Sequence, residues 1–193
     1  MIFSRKNTKA NRPGLDSVGA LYDQHAPWLL AVCLRYTGNI ENAEDVLHDG
    51  FIKIFRSIDS FKNDKPGSIE GWMSRIVVNT ALNYIRDRKK ERIFTDLEQL
   101  PGIAEEEDEQ EIFSGCGLSK DQLMDLICQL PLGYRTVFNL YVMEDYTHRE
   151  IAGMLGISEN TSKSQLSKAR NMLRKRITSF QQEYKYEKAE SNR

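Results

Sequence analysis

The apolar residues of this chain recur at the spacing of an α-helix wherever they form a clear pattern. Between Leu21 and Tyr36 they stand three or four positions apart, and the same period returns between Ala43 and Ile58. No segment alternates apolar and polar residues between turn signals, which is the pattern of a half-buried β-strand. The periodicity therefore predicts an all-α fold.

The distribution of charge divides this helical chain into two parts. Residues 93–118 contain an acidic run from Glu105 to Glu111 and no Lys or Arg, and they are too polar to form a core. We expect a flexible acidic linker there, between two small helical domains at 16–92 and 119–180. Two tails, 1–15 and 181–193, complete the predicted organisation.

The cysteines and histidines give no support to a catalytic or metal site. Cys33, Cys116 and Cys128 form no CxxC pair, which favours buried or incidental thiols over disulfides or a zinc site. The three histidines show neither HExxH nor Ser-His-Asp spacing. We therefore predict a protein that is not an enzyme and needs no metal or cofactor.

The sequence also lacks the usual signals for export or membrane insertion. No apolar run approaches the length of about 18 residues that spans a bilayer. The basic start, "MIFSRKNTKANRPG", has no apolar stretch or cleavage site of a secretory signal. We expect the protein to lie in the cytoplasm.

Basic clusters flank the acidic segment, although the net charge of the chain is only −1. One cluster is "RDRKKER", from Arg86 to Arg92. The other consists of Lys163, Lys168, Arg170, Arg174, Lys175 and Arg176. Charge blocks of opposite sign in separate segments indicate an anionic partner for the basic parts, with solvated helix faces as the alternative for either cluster alone.

The second basic cluster belongs to a pattern typical of a helix-turn-helix unit. Thr147 and Glu150 form a capping box that starts one helix, Gly156 allows the chain to turn, and Ser158 is placed to cap the next helix. In that second helix the inward face is predicted to hold Ser162, Leu166, Ala169 and Leu173. The residues predicted to face outward are Asn160, Thr161, Lys163, Ser164, Gln165, Ser167 and Lys168.

These outward residues are suited to a DNA duplex. Asn160, Ser164 and Gln165 can bond base edges in the major groove. Lys163, Lys168 and Arg170 are better suited to phosphates. Two helices that merely pack on a core, with a wet outer face, remain the alternative for this motif alone.

Two blocks of sequence resemble bacterial sigma factors of the extracytoplasmic-function (ECF) group, over about Leu21 to Thr178. "AEDVLHDGFIKIFRSIDSF" followed by "WMSRIVVNTALNYIRDRKK" resembles the second sigma region. "LPLGYRTVFNLYVMEDYTHREIAGMLGISENTSKSQLSKARNML" resembles the fourth. Two blocks in the right order are far more specific than either alone. The resemblance implies a protein that binds core RNA polymerase and directs it to promoter DNA.

The resemblance also assigns residues to these contacts. It implies that Asp45, His48 and Asp49 face the polymerase clamp, with His48 where the family often has Gln. It places the −10 element on Lys62, Asn63, Asn79, Asn83, Arg86 and Arg88, with Asn83 where Asp is frequent. It places the −35 element on Asn160, Thr161, Lys163, Ser164, Gln165, Lys168 and Arg170. Two interpretations of Trp72 stay open, a core residue or one that stacks on melted DNA.

The recognition helix departs from the family's usual "GTVKSRL". Asn160 replaces Gly, Ser162 replaces Val and Gln165 replaces Arg. A buried Ser in place of Val should cost about 1 kcal/mol unless its hydroxyl bonds a carbonyl. Because Gln can pair with adenine, we expect a −35 sequence different from the commonest ECF type.

Other partners and functions follow from the resemblance or compete with it. The resemblance implies an anti-sigma factor as a further partner. The acidic linker is either an RNA mimic near the path of the transcript or a solubilising tether. The competing functions are a helix-turn-helix transcriptional regulator that is not a sigma subunit and a helical adaptor that recruits proteins only. Both leave "WMSRIVVNTALNYIRDRKK" unexplained.

Overall fold

A computed structural model describes residues 15–61, 68–88 and 117–191 of the chain. Within these ranges every element is helical, which confirms the predicted all-α class. The N-terminal domain consists of α1 (Leu15–Thr37), α2 (Ile40–Ser57), a short 3-10 turn (Ile58–Ser60) and α3 (Ile69–Arg88). The C-terminal domain consists of α4 (Lys120–Cys128), α5 (Leu132–Phe138), a π-helical turn (Asn139–Met143), α6 (His148–Leu155) and α7 (Glu159–Ser191).

The predicted linker lies almost entirely outside the described residues, as do the N-terminal tail and the segment 62–67. The backbone of α7 continues as a helix into the predicted C-terminal tail, to Ser191. The boundaries of the domains themselves stay predictions.

The N-terminal domain is a three-helix unit built on the predicted apolar faces of α1 and α2. Leu29 and Tyr36 of α1 and Val46 and Ile54 of α2 are fully or almost fully buried. Asn39 starts α2, because its side-chain oxygen accepts a hydrogen bond from the backbone N–H of Asn42 at 2.9 Å. Burial of these apolar side chains supplies the main stabilisation of the unit.

The buried face of α3 matches the predicted one in part. The helical period predicts an apolar side made of Trp72, Ile76, Val77, Thr80, Tyr84 and Ile85, and of these Val77, Thr80 and Ile85 are buried. The other innermost positions are Met73, Val78 and Ala81. Because α3 packs against both α1 and α2, it buries an arc wider than a single stripe, and the larger aromatic residues stand at its edge.

In the C-terminal domain the local start and stop signals act as predicted. Both side chains of the Thr147–Glu150 capping box make their reciprocal bonds. Gly156 ends α6 with a left-handed φ of 68°, and the hydroxyl of Ser158 accepts a hydrogen bond from the backbone N–H of Thr161 at 2.9 Å. These caps fix the angle at which α7 leaves α6.

The two domains pack against each other in this structure, a feature that the sequence did not predict. Apolar residues of α1, α2 and α3 form one continuous buried cluster with those of α4 to α7. Cys33 lies within this cluster, and burial raises the pKa of its thiol to about 12, which agrees with the expectation of an unreactive cysteine. Cys128 is half-buried, and its thiol pKa is also raised, mainly by burial.

Candidate nucleic-acid interface

The N-terminal turns of α7 present a polar and cationic surface beside the turn at Gly156. Asn160 and Lys163 are exposed, and Thr161, Ser164 and Lys168 are half-exposed. Arg170, one turn further along α7, is also half-exposed. Helix α6 precedes this surface, so the arrangement is that of a helix-turn-helix whose second helix is available to the major groove.

Gln165 does not belong to this surface, contrary to the sequence prediction. Its side chain is 1% exposed, and neither its amide nitrogen nor its amide oxygen has a hydrogen-bond partner. The physical reason is the helical period, since position 165 lies only about 40° around the axis from the buried Ala169 and about 60° from Ser162. Because glutamine is a polar residue, the sequence analysis placed position 165 on the outward side of α7, although it lies on the inward side.

Ser162 is buried as predicted, but its hydroxyl has a different partner from the one considered. Its Oγ lies 2.9 Å from Nδ1 of His148, on the neighbouring helix α6. The His148 ring stacks on Tyr141 with centroids 4.5 Å apart, and the Arg170 guanidinium lies 5.7 Å from the centroid of the Tyr141 ring. These contacts, which we call the seam, join Ser162 and Arg170 of the recognition helix to His148 of α6 and to Tyr141 of the π turn.

The electrostatics of the seam favour a neutral histidine. Burial lowers the pKa of His148, and the positive charges of Lys163 and Arg170 lower it further, while Glu159 acts in the opposite direction. A neutral ring leaves one nitrogen as a donor and the other as an acceptor, so it suits the hydroxyl of Ser162 in either tautomer.

A second polar surface lies on α3, on the face turned away from the core. Asn79, Asn83 and Arg86 are exposed at spacings of four and three residues, which places them on one side of the helix. Arg86 donates a hydrogen bond to the side-chain oxygen of Asn83. Of the other residues predicted for the −10 element, Lys62, Asn63 and the side chain of Arg88 lie outside the described residues.

Trp72 stands at the edge of this region. It is half-buried, and its ring packs against Phe61, with centroids 5.2 Å apart and planes inclined by 42°. Phe61 is the last described residue before the segment 62–67. The structure therefore places Trp72 at the margin of the core, next to Phe61, which precedes the Lys62 and Asn63 that the resemblance assigns to DNA.

The exposed face of α2 is acidic and includes the three residues that the resemblance assigns to the polymerase clamp. Asp45, His48 and Asp49 are all exposed there, together with Glu41 and Glu44. Ile52 continues the same face one turn later and is 41% exposed, which is unusual for a large apolar side chain. Sequence reasoning missed Ile52; its position seven residues after Asp45 was the available signal.

Two further results concern metal sites and membrane-spanning helices. In the described part of the chain no three His, Cys, Asp or Glu side chains are grouped so that they could hold a metal ion. Among the same residues, no helix has the length and apolar character needed to cross a membrane.

Sequence models of two regions of one protein family match the chain. The model of sigma-70 region 2 matches residues 21–91, which contain most of α1 and all of α2 and α3. The model of sigma-70 region 4 matches residues 120–173, which include the helix-turn-helix. Together they cover well over half of the chain.

Known proteins resemble the chain over most of its length. It is 30% identical over 176 residues to the ECF RNA polymerase sigma factor SigE of Mycolicibacterium smegmatis, a match that covers 90% of this chain and 65% of SigE. The chain thus spans just under two thirds of that relative. It is 27% identical over 186 residues to the ECF RNA polymerase sigma factor SigW of Bacillus subtilis, covering 92% of this chain and 97% of SigW.

A solved structure is also similar, the sigma factor RpoE of Bartonella quintana in a co-crystal with the anti-sigma factor NepR. The TM-score is 0.49 at 20% identity, over 86% of this chain and 98% of RpoE.

The two family regions match the chain in order, on the helices that contain the sequence motifs. The chain therefore belongs to the sigma-70 family, in the ECF group of RNA polymerase sigma factors.

Proposed function

We propose that this ECF sigma factor binds core RNA polymerase, recognises −35 and −10 promoter elements and promotes DNA opening, through three separate exposed surfaces. The observation that carries the proposal is their distribution. An acidic face on α2, a polar face on α3 and a polar, cationic face on α7 occupy different helices of one chain. A simple repressor needs only the last of these.

The α7 surface would bind the −35 element as duplex. Asn160 and Ser164 carry groups that bond base edges, and Lys163, Lys168 and Arg170 would neutralise phosphates on either side. Thr161 lies in the same turn. Because Gln165 is buried, we assign it no base contact.

The α3 surface would bind the −10 element after the strands separate. Asn79 and Asn83 offer amides to bases, while Arg86 and Arg88 supply positive charge to the backbone. Lys62 and Asn63, in the segment before α3, would complete the site around an extruded base. Trp72, at the edge of the core, is placed to stack on the melted end only if its contact with Phe61 changes.

The α2 surface would bind the polymerase clamp. Asp45 and Asp49 present carboxylates one turn apart, with His48 between them, and Ile52 adds an exposed apolar side chain at the end of the row. An apolar anchor bordered by charges is the usual composition of a protein interface. Polymerase performs the chemistry, so the sigma factor itself needs no catalytic group and no cofactor.

The partners would be core polymerase, promoter DNA and, from the family resemblance, an anti-sigma factor. The protein would act where bacterial RNA polymerase acts, in the cytoplasm. The alternative, a helix-turn-helix regulator that is not a sigma subunit, is separated by a pull-down with purified core polymerase. We expect retention of the wild-type chain and loss of retention in Asp45→Lys/Asp49→Lys. A chain that binds DNA but is never retained by core polymerase would favour the regulator.

A further inference from the structure

His148 lies between the two helices of the helix-turn-helix, beside the surface proposed to bind the −35 element. It is the first residue of α6 and is half-buried. Its Nδ1 lies 2.9 Å from the hydroxyl oxygen of Ser162 on α7. The next residue of α7, Lys163, is exposed and is one of the proposed phosphate contacts. The imidazole therefore contacts the residue of α7 that directly precedes a proposed DNA contact.

The Tyr141 ring connects the same imidazole to a second cation. The His148 and Tyr141 rings stack, with centroids 4.5 Å apart and planes inclined by 22°. The Arg170 guanidinium lies 5.7 Å from the centroid of the Tyr141 ring, which is within the range of a cation–π contact. Arg170 is half-exposed and is also a proposed phosphate contact. The seam thus places a titratable ring in one cluster with cations that are proposed to bind DNA.

The charges around His148 keep its ring neutral in the free chain. Burial disfavours the charged ring and lowers its pKa, and the positive charges of Lys163 and Arg170 lower that pKa further. The carboxylate of Glu159 acts in the opposite direction. The titratable groups that face or adjoin the ring are Lys163, Arg170 and Glu159 of α7, Tyr141 of the π turn, and Arg149 and Glu150 of α6 itself.

Bound DNA would reverse this balance. Phosphates on Lys163 and Arg170 would neutralise the two positive charges that disfavour a proton on the ring. They would also add negative potential at a half-buried group, where solvent screens charge less than at a fully exposed one. Both changes raise the pKa of His148 in the complex. Duplex binding would therefore be accompanied by proton uptake at this ring.

Ser162 allows the ring to change its charge without losing its partner. A hydroxyl both donates and accepts hydrogen bonds, so it suits a neutral ring in either tautomer. A protonated ring can only donate. The Ser162 hydroxyl then accepts, and its hydrogen can turn to the carbonyl of Ser158, which already accepts the Ser162 N–H at 3.0 Å. Valine, the usual residue of the family at this position, can neither donate nor accept.

We propose that His148 is a further residue of the −35 site, neutral in the free chain and protonated when α7 binds duplex DNA, with Ser162 as its partner in both states. The inference rests on the proposed function of α7 and adds a dependence on pH to it. Affinity for the −35 duplex rises as the pH falls through the pKa of His148 in the complex. It levels off below the pKa of the same ring in the free chain.

The test uses the full chain, a duplex that this chain recovers from a random promoter library, and three variants. His148→Gln removes the titrating group but keeps atoms that can bond Ser162. Ser162→Val removes the hydroxyl and restores the usual residue of the family. His25→Gln is the matched control, because His25 is a buried histidine of α1 and Gln can still accept the hydrogen bond from Trp28 Nε1. Circular dichroism verifies the helical content of each variant at each pH.

The first measurement is the number of protons taken up on binding, by calorimetry in buffers that differ in their enthalpy of ionisation. We expect about half a proton or more per duplex for the wild type and His25→Gln, and close to none for His148→Gln. Ser162→Val should take up less than about half of the wild-type amount. Equal uptake by the wild type and His148→Gln would overturn the inference. Equal uptake by the wild type and Ser162→Val would overturn the part assigned to Ser162.

The second measurement is the affinity for the same duplex at constant ionic strength, by fluorescence anisotropy. From about pH 7.5 to about pH 5.5 the wild-type affinity should increase by about tenfold, and that of His148→Gln by less than about twofold. Nuclear magnetic resonance of the histidine rings locates the proton. The His148 signal should titrate at higher pH in the complex than in the free chain, whereas the signals of His25 and His48 should titrate equally in both.

The outcomes separate this inference from the proposed function. A chain that binds the duplex with the same affinity at every pH, or whose His148 ring stays neutral in the complex, overturns the inference and leaves the −35 site in place. A chain that recovers and binds no duplex at any pH overturns the proposed −35 site, and the inference with it.

Discussion

The hydroxyl of Ser162 and the Nδ1 of His148 lie 2.9 Å apart, across the boundary between the recognition helix and the helix before it. This bond satisfies a polar group at a position where the family usually has Val. It also connects the residue that α7 buries with a ring that stacks on Tyr141. The position of the DNA-facing residues of α7 is therefore determined in part by a hydrogen bond rather than by apolar packing alone.

The Ser162–His148 bond should appear as a coupling energy. In a double-mutant cycle with Ser162→Ala and His148→Ala, we expect the two residues to be coupled by about 1 kcal/mol in the free energy of unfolding. Urea denaturation measures it. Ser164→Ala, in the same turn of α7 but half-exposed, is the matched control and should show no coupling to His148. A Ser162–His148 coupling indistinguishable from zero would show that the bond contributes nothing.

The depressed pKa of His148 predicts a loss of stability in acid. A group whose pKa is lower in the folded state contributes stability above its unfolded pKa, near 6.5, and loses that contribution as the pH falls toward the folded value. The melting temperature should therefore fall between about pH 7 and pH 5, and fall less in His148→Gln. An equal decrease of the melting temperature in the wild type and in His148→Gln would mean that other titrating groups cause it.

Gln165 should be replaceable by an apolar residue of similar shape. Its two unpaired amide atoms are buried, so Gln165→Met should stabilise the protein by about 1–3 kcal/mol in urea denaturation. The same variant should keep the preferred −35 bases, because Gln165 is not on the exposed surface. A changed base preference in a selection from random promoter sequences would instead place Gln165 on the DNA.

Asn160 and Lys163 should have different effects on DNA binding. Lys163→Ala should weaken binding to all sequences alike and reduce the slope of log affinity against log salt by about 1, as expected for one phosphate contact. Asn160→Ala should instead cost about 1–3 kcal/mol of discrimination at one base pair. Fluorescence anisotropy over a salt series, with selected and randomised duplexes, measures both. Identical behaviour of the two variants would refute the division of roles.

The exposed face of α2 should determine affinity for polymerase. Ile52→Asp replaces the apolar anchor at the end of the proposed interface with a charge and should weaken core binding by at least about tenfold. Ile40→Asp is the matched control, because Ile40 is also an exposed apolar residue but lies at the start of α2, outside the row from Asp45 to Ile52. If both variants lose core binding equally, or if neither loses it, this face of α2 is not the polymerase interface.

Local signals in the sequence predicted the secondary structure and much of the site. The capping box at Thr147, the left-handed Gly156 and the cap at Ser158 act within a few residues, so they can be recognised without the fold. The apolar period between Ala43 and Ile58 likewise predicted the buried side of α2. Residue type alone was misleading at Gln165. This polar side chain was predicted to face solvent, but it lies on the buried side of α7.

The rest depends on packing between distant parts of the chain. The burial of Met73, Val78 and Ala81 beside the predicted residues of α3 reflects the two neighbours of this helix, α1 and α2, which a single helical pattern does not specify. Arg35 and Glu144 form an ion pair at 3.1 Å although 109 residues separate them, and no local pattern in the sequence predicts this contact. The His148–Ser162 bond likewise depends on the angle between α6 and α7. The sequence predicts a turn at Gly156 but does not give this angle.

Transcription in vitro with purified core polymerase on fragmented genomic DNA of the host, with every start site mapped, tests the central claim most directly. We predict specific start sites that appear only when this protein is added, share one upstream sequence about 35 base pairs before the start and one about 10 before it, and disappear with Asp45→Lys/Asp49→Lys. Retention of the protein on DNA without any specific initiation by core polymerase would contradict the account.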